Sequence, residues 1–223
     1  MNYFIILFKL IAISDFVDSK DKTIYDVGCD HALLDIYLAD KYRNTSFYAI
    51  DVSEKCIEKA NQNIIKQGLE SRIKTNVNDG LKNIKLKKNS TLIISGMGAH
   101  TIIKILENCD ITKFKKIIIQ SNNDLEYVRK RITNMNFFIE NEISVFDKKY
   151  YVIISFVPGL KKYNSIEFFY GPRLLNNIEE NRDYFQYLYD KYNSILKNIP
   201  FIKISKKIII FLKVQKIKKL LQK

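Results

Sequence analysis

The end of a strand-rich region most constrains the fold of this 223-residue chain. Two strand-like runs, FFIENEISVF (137–146) and YYVIISFV (150–157), are separated by only the three residues DKK. Two parallel strands need a crossover of about a dozen or more residues between them, so these runs must pair as an antiparallel hairpin. Any sheet that the chain forms is therefore expected to end in an antiparallel pair.

Five shorter apolar runs precede this hairpin, and stretches with helical spacing separate them. The predicted strands are Thr23–Val27, Ser46–Asp51, Arg72–Val77, Thr91–Ser95 and Lys116–Gln120. Strands that alternate with helices at this spacing indicate βαβ units and a mostly parallel sheet. A parallel five-stranded sheet closed by a hairpin resembles the α/β, Rossmann-like sheet of class I methyltransferases, and it disfavours a plain dehydrogenase.

The second helix has the clearest sequence signals. Ser53 suits its N-cap, Glu54 its first turn, and Gly68 its end. One face is predicted to be apolar and to consist of Ile57, Ala60, Ile64 and Ile65. Shorter helices are predicted to follow His31, Gly98 and Asp124. The opening run MNYFIILFKLIAI has no cleavage site and is too short to span a bilayer, so it predicts an N-terminal helix packed on the domain.

The chain changes character after Pro158-Gly159, which predicts a catalytic α/β domain over 1–159 and a small helical domain over 160–223. Residues 170–199 alternate apolar and charged side chains at helical spacing. A proline separates them from a second segment, 201–222, that is apolar and lysine-rich. The simplest arrangement is a helical hairpin appended to the α/β domain.

The formal charge of +13 predicts a polyanionic partner. The last 23 residues hold eight lysines and no acidic residue, which favours nucleic acid. The competing explanation is a composition bias across the whole chain, since 31 lysines accompany 6 arginines and a phosphate-binding surface favours arginine. Three scattered cysteines and two histidines, without CxxC or HxxxH spacing, support neither a metal site nor a disulfide framework, and they fit a reducing cytoplasm best.

In open parallel sheets, ligands bind beyond the carboxyl ends of the strands, near the switch in strand order. Four candidate sites lie at such ends: Asp26-Val27-Gly28-Cys29-Asp30-His31, Asp51, Asn78-Asp79-Gly80 and Ser95-Gly96-Met97-Gly98-Ala99. Gly28 lets the backbone approach a ligand, Asp51 can accept hydrogen bonds from both hydroxyls of a ribose, and Asp79 can meet an adenine amino group. Each segment also has a purely structural interpretation, because an Asp before a helix is often an N-cap and NDG is a common turn.

The first of these segments departs from the dinucleotide-binding fingerprint, in which glycines occupy the places that Asp30 and His31 hold here. Asp30 would repel a pyrophosphate, which argues against a nicotinamide-dependent reductase. S-adenosylmethionine has no phosphate and carries a cationic sulfonium and an ammonium group. An acid beside these cations is favourable in a partly dry site. The segment therefore favours S-adenosylmethionine as the cofactor.

Several motifs together resemble one family, the bacterial tRNA adenine-22 N1-methyltransferases. The motifs are Asp26–His31 followed by Ala32-Leu33, the loop Gly96-Met97-Gly98, the strand end Gln120-Ser121-Asn122, and Tyr150 before an apolar strand. The resemblance covers about residues 22–175, and Gly171-Pro172 is similar to the start of that family's helical C-terminal domain. The chain departs from the family pattern at Ala99, Ser121 and Tyr151, and in its short, lysine-rich end.

The resemblance implies methyl transfer from S-adenosylmethionine to N1 of an adenosine in tRNA, with position 22 as the expected site. It implies catalytic roles for Asp30 and His31, although a structural role for His31 stays open. Cofactor contacts are expected from Asp26, Gly28, Asp30, Asp51, Val52, Asp79, Gly80, Gly96 and Met97, and substrate contacts from Gly98, Asn122 and Tyr150. No metal and no membrane are expected, and both a monomer and a homodimer fit. The rival interpretations are a non-catalytic RNA-binding protein on the same scaffold and a nicotinamide-dependent reductase.

Overall fold

The computed structural model describes residues 7–200 and 204–222 of the chain. These residues form two compact units, one up to Pro172 and one from Arg173 onward. The strands are β1 (Thr23–Val27), β2 (Ser46–Asp51), β3 (Ile73–Val77), β4 (Ser90–Met97), β5 (Phe114–Ser121), β6 (Phe137–Asp147) and β7 (Lys149–Pro158). The helices are α1 (Leu7–Ser14), α2 (Leu33–Lys41), α3 (Glu54–Lys66), α4 (Ala99–Glu107), α5 (Leu125–Thr133), α6 (Ser165–Tyr170), α7 (Pro172–Asn176), α8 (Arg182–Asn198) and α9 (Ile204–Leu221).

The strands form one sheet in the order β3-β2-β1-β4-β5-β7-β6. Strands β1 to β5 pair in parallel, whereas β7 runs antiparallel to both β5 and β6. The predicted strands Thr23–Val27 and Ser46–Asp51 are confirmed at both ends, and the hairpin turns at Lys148. The Rossmann-like fold class is therefore confirmed. The carboxyl ends of the five parallel strands lie along one edge of the sheet, where a ligand is expected.

Helix α3 borders this edge and begins as its sequence predicts. The Ser53 side chain accepts a hydrogen bond from the Cys56 N–H at 3.3 Å, which confirms the N-cap. The buried residues of the helix are Ile57, Ala60 and Ile64. The placement of Ile65 on this face is wrong, because its side chain is 61% exposed. Successive residues are about 100° apart around a helix, so Ile65 cannot share the direction of Ile64.

The other predicted helices of the first unit are also present. Helices α2, α4 and α5 follow His31, Gly98 and Asp124. Helix α1 packs on α2, β6 and β7, which confirms the N-terminal helix over residues 7–14, while residues 1–6 of the predicted helix lie outside the described residues. None of the helices in the described ranges is long and apolar enough to cross a membrane.

A fully buried ion pair ties α5 to β6 and to the end of α6. The Arg129 Nε donates to Glu142 Oε1 at 2.6 Å. The Arg129 Nη1 donates to the carbonyl oxygens of Phe168 at 2.9 Å and Phe169 at 3.2 Å. A Cβ on Gly171, whose φ is +95°, would lie 2.8 Å from the guanidinium and from the carboxylate. Glycine is therefore required where the chain passes the ion pair.

The two compact units meet at Pro172–Arg173, whereas the predicted domains meet at 159/160. Within the second unit, the Arg182 side chain at the start of α8 donates to the Leu221 carbonyl at the end of α9 at 2.7 Å, so the two helices run in opposite directions. Their small apolar core contains Ile199, Ile210 and Val214. The predicted helical hairpin is therefore confirmed.

Candidate active site

Two cavities open at the edge formed by the carboxyl ends of the parallel strands. The larger, of about 430 Å³, is lined by residues that include Lys9, Asp26, Gly28, Asp30, His31, Gly96 and Asp147. The smaller, of about 210 Å³, is lined by residues that include Gly28, Asp51, Val52, Asp79, Gly80 and Met97. Gly28 borders both. The fold therefore brings all of the expected cofactor residues to one cleft.

Gly28 allows the loop after β1 to approach the end of β4. Its φ is +80°, and a Cβ on it would lie 2.3 Å from the Met97 Cε. Its N–H donates to the Ile50 carbonyl at 2.8 Å, which fixes the turn after β1 on the end of β2. A side chain at residue 28 would need both a strained backbone and a displaced methionine, so glycine is required here.

Asp51 joins the loop after β1 to the start of α3. Its Oδ2 accepts a hydrogen bond from the Asp30 N–H at 3.2 Å, and its Oδ1 accepts one from the Ser53 N–H at 2.9 Å. Each carboxylate oxygen has a second acceptor direction. Asp51 therefore positions the backbone of Asp30 while it can still accept hydrogen bonds from a ligand in the smaller cavity.

The Asp30 carboxylate lies at the mouth of the larger cavity, with 72% of the side chain exposed. The φ of Asp30 is +52°, and that of Ala32 is +55°. Left-handed backbone is uncommon for residues other than glycine, so this loop holds local strain. The His31 Nε2 lies 3.4 Å from the Asp30 Oδ1. This geometry favours an orienting role for His31.

The smaller cavity combines acidic and apolar surface. Asp79 forms an ion pair with Lys82, whose hydrogen bond and charge lower the pKa of the exposed Asp79 carboxyl. Val52 is 71% exposed beside Asp51. A Cβ on Gly80 would lie 3.0 Å from Ile105, and the φ of Gly80 is +62°. An apolar face beside hydrogen-bond acceptors suits a nucleoside.

Residues that follow β5 hold the end of β4 and the start of α4. The Asn122 Nδ2 donates to the Gly96 carbonyl at 2.6 Å, and the Asn122 N–H donates to the Met97 carbonyl at 2.8 Å. The Asn123 Oδ1 accepts a hydrogen bond from the Ala99 N–H at 2.8 Å, just after Gly98. Gly98 and Asn122 line neither of the two cavities. They instead shape the neighbouring segment, whose residues Gly96 and Met97 line the cavities.

Tyr150 also lies apart from both cavities, near the end of the β6–β7 hairpin. Its ring packs edge to face on Phe146, with centroids 5.1 Å apart. The adjacent Tyr151 lies nearer the larger cavity, since the Lys9 Nζ is 5.6 Å from the centre of its ring. The structure thus brings the expected cofactor residues and Asp30 together, but not Tyr150.

Two charged residues of the larger cavity, Lys9 and Asp147, were missed by sequence reasoning. Burial lowers the pKa of the Lys9 ammonium, and the charge of Asp26 opposes this effect. The available signal was a lone lysine within an apolar run. Local sequence does not reveal which strands α1 covers. It therefore does not reveal that Lys9 points into the cavity.

Asp26 and Asp35 form a buried pair of carboxyl groups beside the larger cavity, with 4% and 0% of their surface exposed. Burial raises the pKa of both groups, and the charge of Asp26 raises that of Asp35 further. Both Asp35 oxygens lack a hydrogen-bond donor among the described residues. A proton held on Asp35 lets this carboxyl donate to Asp26, so the pair carries one negative charge instead of two.

Replacing Asp35 with asparagine is expected to stabilise the protein at alkaline pH. Because the carboxyl pKa is raised in the folded state, the folded chain binds more protons than the unfolded chain above about pH 4, and the stability from this group falls as pH rises. Asparagine removes the ionisable group and keeps a donor for Asp26. We expect Asp35→Asn to raise the free energy of unfolding in urea by about 2 kcal/mol or more at pH 8, and by little at pH 4.

Asp40→Asn is the matched control, because Asp40 is exposed on the same helix. It should show no gain that grows with pH. A loss of stability in Asp35→Asn at pH 8 would mean that a charged Asp35 stabilises the fold.

The strand order, the closing hairpin and the acidic cleft at the ends of β1, β2 and β4 define a Rossmann-like methyltransferase. The sequence matches the methyltransferase domain family over residues 7–154, more than half of the chain, and the protein belongs to this family.

Two relatives of this chain carry the names of tRNA methyltransferases. The chain is 28% identical over 174 residues to a putative tRNA methyltransferase of Mycoplasma genitalium, and the match covers 75% of this chain and 78% of that protein. It is 28% identical over 120 residues to the tRNA (adenine(22)-N(1))-methyltransferase of Bacillus subtilis, over 53% of this chain and 50% of the relative. The solved structure of M. capricolum TrmK with the cofactor product S-adenosyl-homocysteine is similar over 98% of both chains, with a TM-score of 0.84 and 26% identity.

Proposed function

We propose that this protein transfers a methyl group from S-adenosylmethionine to N1 of an adenosine in tRNA, at the position that corresponds to adenine 22 of the Bacillus subtilis enzyme's substrate. The observation that carries the proposal is the Asp30 carboxylate, exposed at the mouth of a cavity that suits the cofactor. The names of the relatives support the substrate class, and the product bound in one of them supports the cofactor. Activity on tRNA supports our further proposal that the protein acts in the cytoplasm.

The two cavities fit the two halves of S-adenosylmethionine. The adenosine half suits the smaller one, where Asp51 can accept from the ribose hydroxyls, Val52 offers apolar surface, and Asp79 can meet the adenine amino group. The cationic amino acid half suits the larger one, where Asp26 provides a negative charge. Gly28 leaves room between the halves. The wall is completed by Gly80, Gly96 and Met97. The cofactor supplies the methyl group, and the chain binds and orients it.

Asp51→Ala is expected to weaken S-adenosylmethionine binding by about 10- to 100-fold, because it removes one or two charge-assisted hydrogen bonds of about 1.5–3 kcal/mol each. The fold should persist, since Asp51 lies at the end of a strand. Isothermal titration calorimetry measures the affinity. Asp40→Ala removes an exposed carboxylate outside both cavities and should bind normally. Unchanged affinity in Asp51→Ala would mean that the ribose binds elsewhere.

The chemistry requires alignment more than activation. Adenine N1 is unprotonated at neutral pH and can attack the methyl carbon in line with the sulfur, so positioning supplies much of the rate. The methylated base is cationic, and Asp30 stabilises that charge or accepts a proton from the exocyclic amine. His31 orients Asp30. Gly98, Asn122 and Tyr150 would act on the substrate side, Gly98 and Asn122 by shaping the segment that joins β4 to α4.

The adenosine must leave its stack or be unpaired, because N1 lies on the pairing edge. The same fact provides the test. N1-methyladenosine blocks pairing, so primer extension on treated tRNA should stop at adenine 22 only when both protein and S-adenosylmethionine are present. A tRNA with guanosine at that position is the control. Binding without methyl transfer would favour the non-catalytic interpretation, and nicotinamide-dependent reduction would favour the reductase.

Helix α9 offers basic and apolar surface for tRNA. Lys218 and Lys219 are exposed, and Lys213 and Lys216 are half-buried. In the stretch 208–212, Ile210 is buried in the hairpin. Its four apolar neighbours are 48–61% exposed. Packing on α8 therefore does not account for most of this stretch, which supports a surface role.

Replacing Lys213, Lys216, Lys218 and Lys219 with glutamine is expected to weaken tRNA binding and to lower its salt dependence. Each lost phosphate contact should reduce the slope of log K against log salt by about 0.9 or less. Replacing four exposed lysines of the first unit is the control, namely Lys55, Lys59, Lys66 and Lys74. Cofactor affinity should not change in either variant. An unchanged slope in the folded α9 variant would mean that these lysines only solvate the helix.

A further inference from the structure

Three zinc-ligand side chains of different types meet beside the candidate active site. Asp30 and His31 lie in the loop after β1, and Cys56 lies in the first turn of α3. One ligand atom from each lies within 4.8 Å of the other two. Cys56 is 26 positions from Asp30, so no spacing motif reveals the group and no metal is expected from the sequence. We infer that Asp30, His31 and Cys56 form a binding site for one Zn²⁺ ion.

The separations between these atoms are close to those of a tetrahedral zinc site. The Cys56 Sγ lies 3.7 Å from the Asp30 Oδ1, and the His31 Nε2 lies 3.4 Å from the same oxygen. Bonds of about 2.3 Å to sulfur and about 2.0–2.1 Å to nitrogen and oxygen place tetrahedral ligands about 3.3–3.7 Å apart. Two of the three separations therefore fit already. The third, between Cys56 and His31, is at most 4.8 Å and would have to shorten by a side-chain rotation.

The ligand chemistry also suits zinc. Thiolate, imidazole and carboxylate are the protein groups that zinc prefers, and the two anions neutralise its charge. Cys56 and His31 are half-buried and Asp30 is exposed, which leaves the fourth position to water. On binding, the Cys56 thiol proton goes to solvent, and neutral His31 keeps its proton on Nδ1 while Nε2 binds the ion.

Hydrogen bonds between side chains and backbone hold the two ligand-bearing elements together. Asp51 accepts from the Asp30 N–H on one side and from the Ser53 N–H at the start of α3 on the other. The Asn63 side chain of α3 donates to the His31 carbonyl at 3.1 Å. The ligands therefore need little backbone movement to close on an ion, which lowers the cost of binding.

Zinc at this site would coordinate the Asp30 carboxylate, on which the proposed function depends. A consequence, which rests on that function, is that zinc inhibits methyl transfer. Binding itself can be measured without activity, so the site and the function can fail separately.

The binding experiment uses the full chain and Zn²⁺ in competition with a chromophoric chelator, with Co²⁺ as the spectroscopic probe. We expect one ion per chain and a thiolate-to-cobalt charge-transfer band. Cys56→Ser keeps a hydrogen-bond donor and should weaken zinc binding by more than about tenfold and remove the band, since it loses the softest ligand. Asp30→Asn should also weaken zinc binding. Cys109→Ser, at another half-buried cysteine, should bind normally. Equal binding by Cys56→Ser and the wild type, or an equal loss in Cys109→Ser, would overturn the site.

The activity experiment follows methyl transfer to tRNA during zinc titration. Cys56→Ser should retain the wild-type rate without zinc and should need more than about tenfold higher zinc for half inhibition. Zinc binding without inhibition would overturn the inhibitory consequence. Absence of methyl transfer before zinc is added would overturn the proposed function. The metal site would then be tested by the cobalt-binding experiment alone.

Discussion

Asp30→Ala is expected to lower the turnover of methyl transfer by about 100-fold or more, while the affinity for S-adenosylmethionine stays within about tenfold of the wild type. The reason is the position of the carboxylate, which is 72% exposed at the mouth of the larger cavity. In the proposed reaction it would meet the adenosine there, together with the developing positive charge of the methylated base. Single-turnover methylation of tRNA measures the first quantity, and calorimetry measures the second.

Asp30→Asn separates the charge of this side chain from its backbone. The φ of Asp30 is +52°, and asparagine adopts left-handed backbone more readily than alanine does. A similar loss of turnover in both variants would assign the effect to the negative charge. Near-normal turnover in Asp30→Asn would assign the alanine effect to the loop. Equal losses of turnover and affinity would make Asp30 a cofactor ligand, and normal turnover in both variants would remove it from the mechanism.

Arg129→Leu is expected to lower the free energy of unfolding by about 3–5 kcal/mol, because it leaves Glu142 buried without its counter-charge. The substitution also removes the donor to the carbonyl oxygens of Phe168 and Phe169. Urea denaturation monitored by circular dichroism measures the loss.

The same helix provides the control for this prediction. Arg131 pairs with Glu107, and both side chains are more than 40% exposed. Arg131→Leu should therefore lower the free energy of unfolding by about 1 kcal/mol or less. Leucine at both Arg129 and Glu142 should recover part of the loss of Arg129→Leu, because no unpaired charge remains. Equal effects of Arg129→Leu and Arg131→Leu would show that the buried pair stabilises the fold no more than the exposed pair does.

The positions of the strands along the chain were predictable because the signals that mark a strand are local in sequence. Strands β1 and β2 are apolar runs that end at turns, and their predicted ends are the observed ones. The prediction for β4 stopped at Ser95, two residues early. Met97 still pairs with Ser121 of β5 after an irregularity in the register. The end of β4 therefore depends on its hydrogen bonds with β5, and no local sequence pattern encodes that pairing.

The expected cofactor residues were found because parallel strands deliver their carboxyl ends to one edge. The residues that sequence reasoning missed come from other places in the fold. Lys9 of α1 and Asp147 at the end of β6 line the larger cavity. Asp35 of α2 is buried beside Asp26, and Cys56 of α3 lies 3.7 Å from the Asp30 carboxylate. Asp35 lies in the helical sequence LLDIYLADK, where nothing distinguishes a buried carboxyl from an exposed one. Its burial follows from how the helix packs on the sheet.

The hydrogen bonds of Arg129 also decide where the chain can be cut and rejoined. A polypeptide that ends at residue 159, before α6, lacks the carbonyl groups of Phe168 and Phe169 that the guanidinium holds. One that ends after Pro172 keeps them, together with the glycine that makes room for the ion pair. Exchange of C-terminal modules between homologous chains therefore has its splice junction after Pro172, and a chimera joined at Pro158-Gly159 would have to rebuild the acceptors of Arg129 from a foreign sequence.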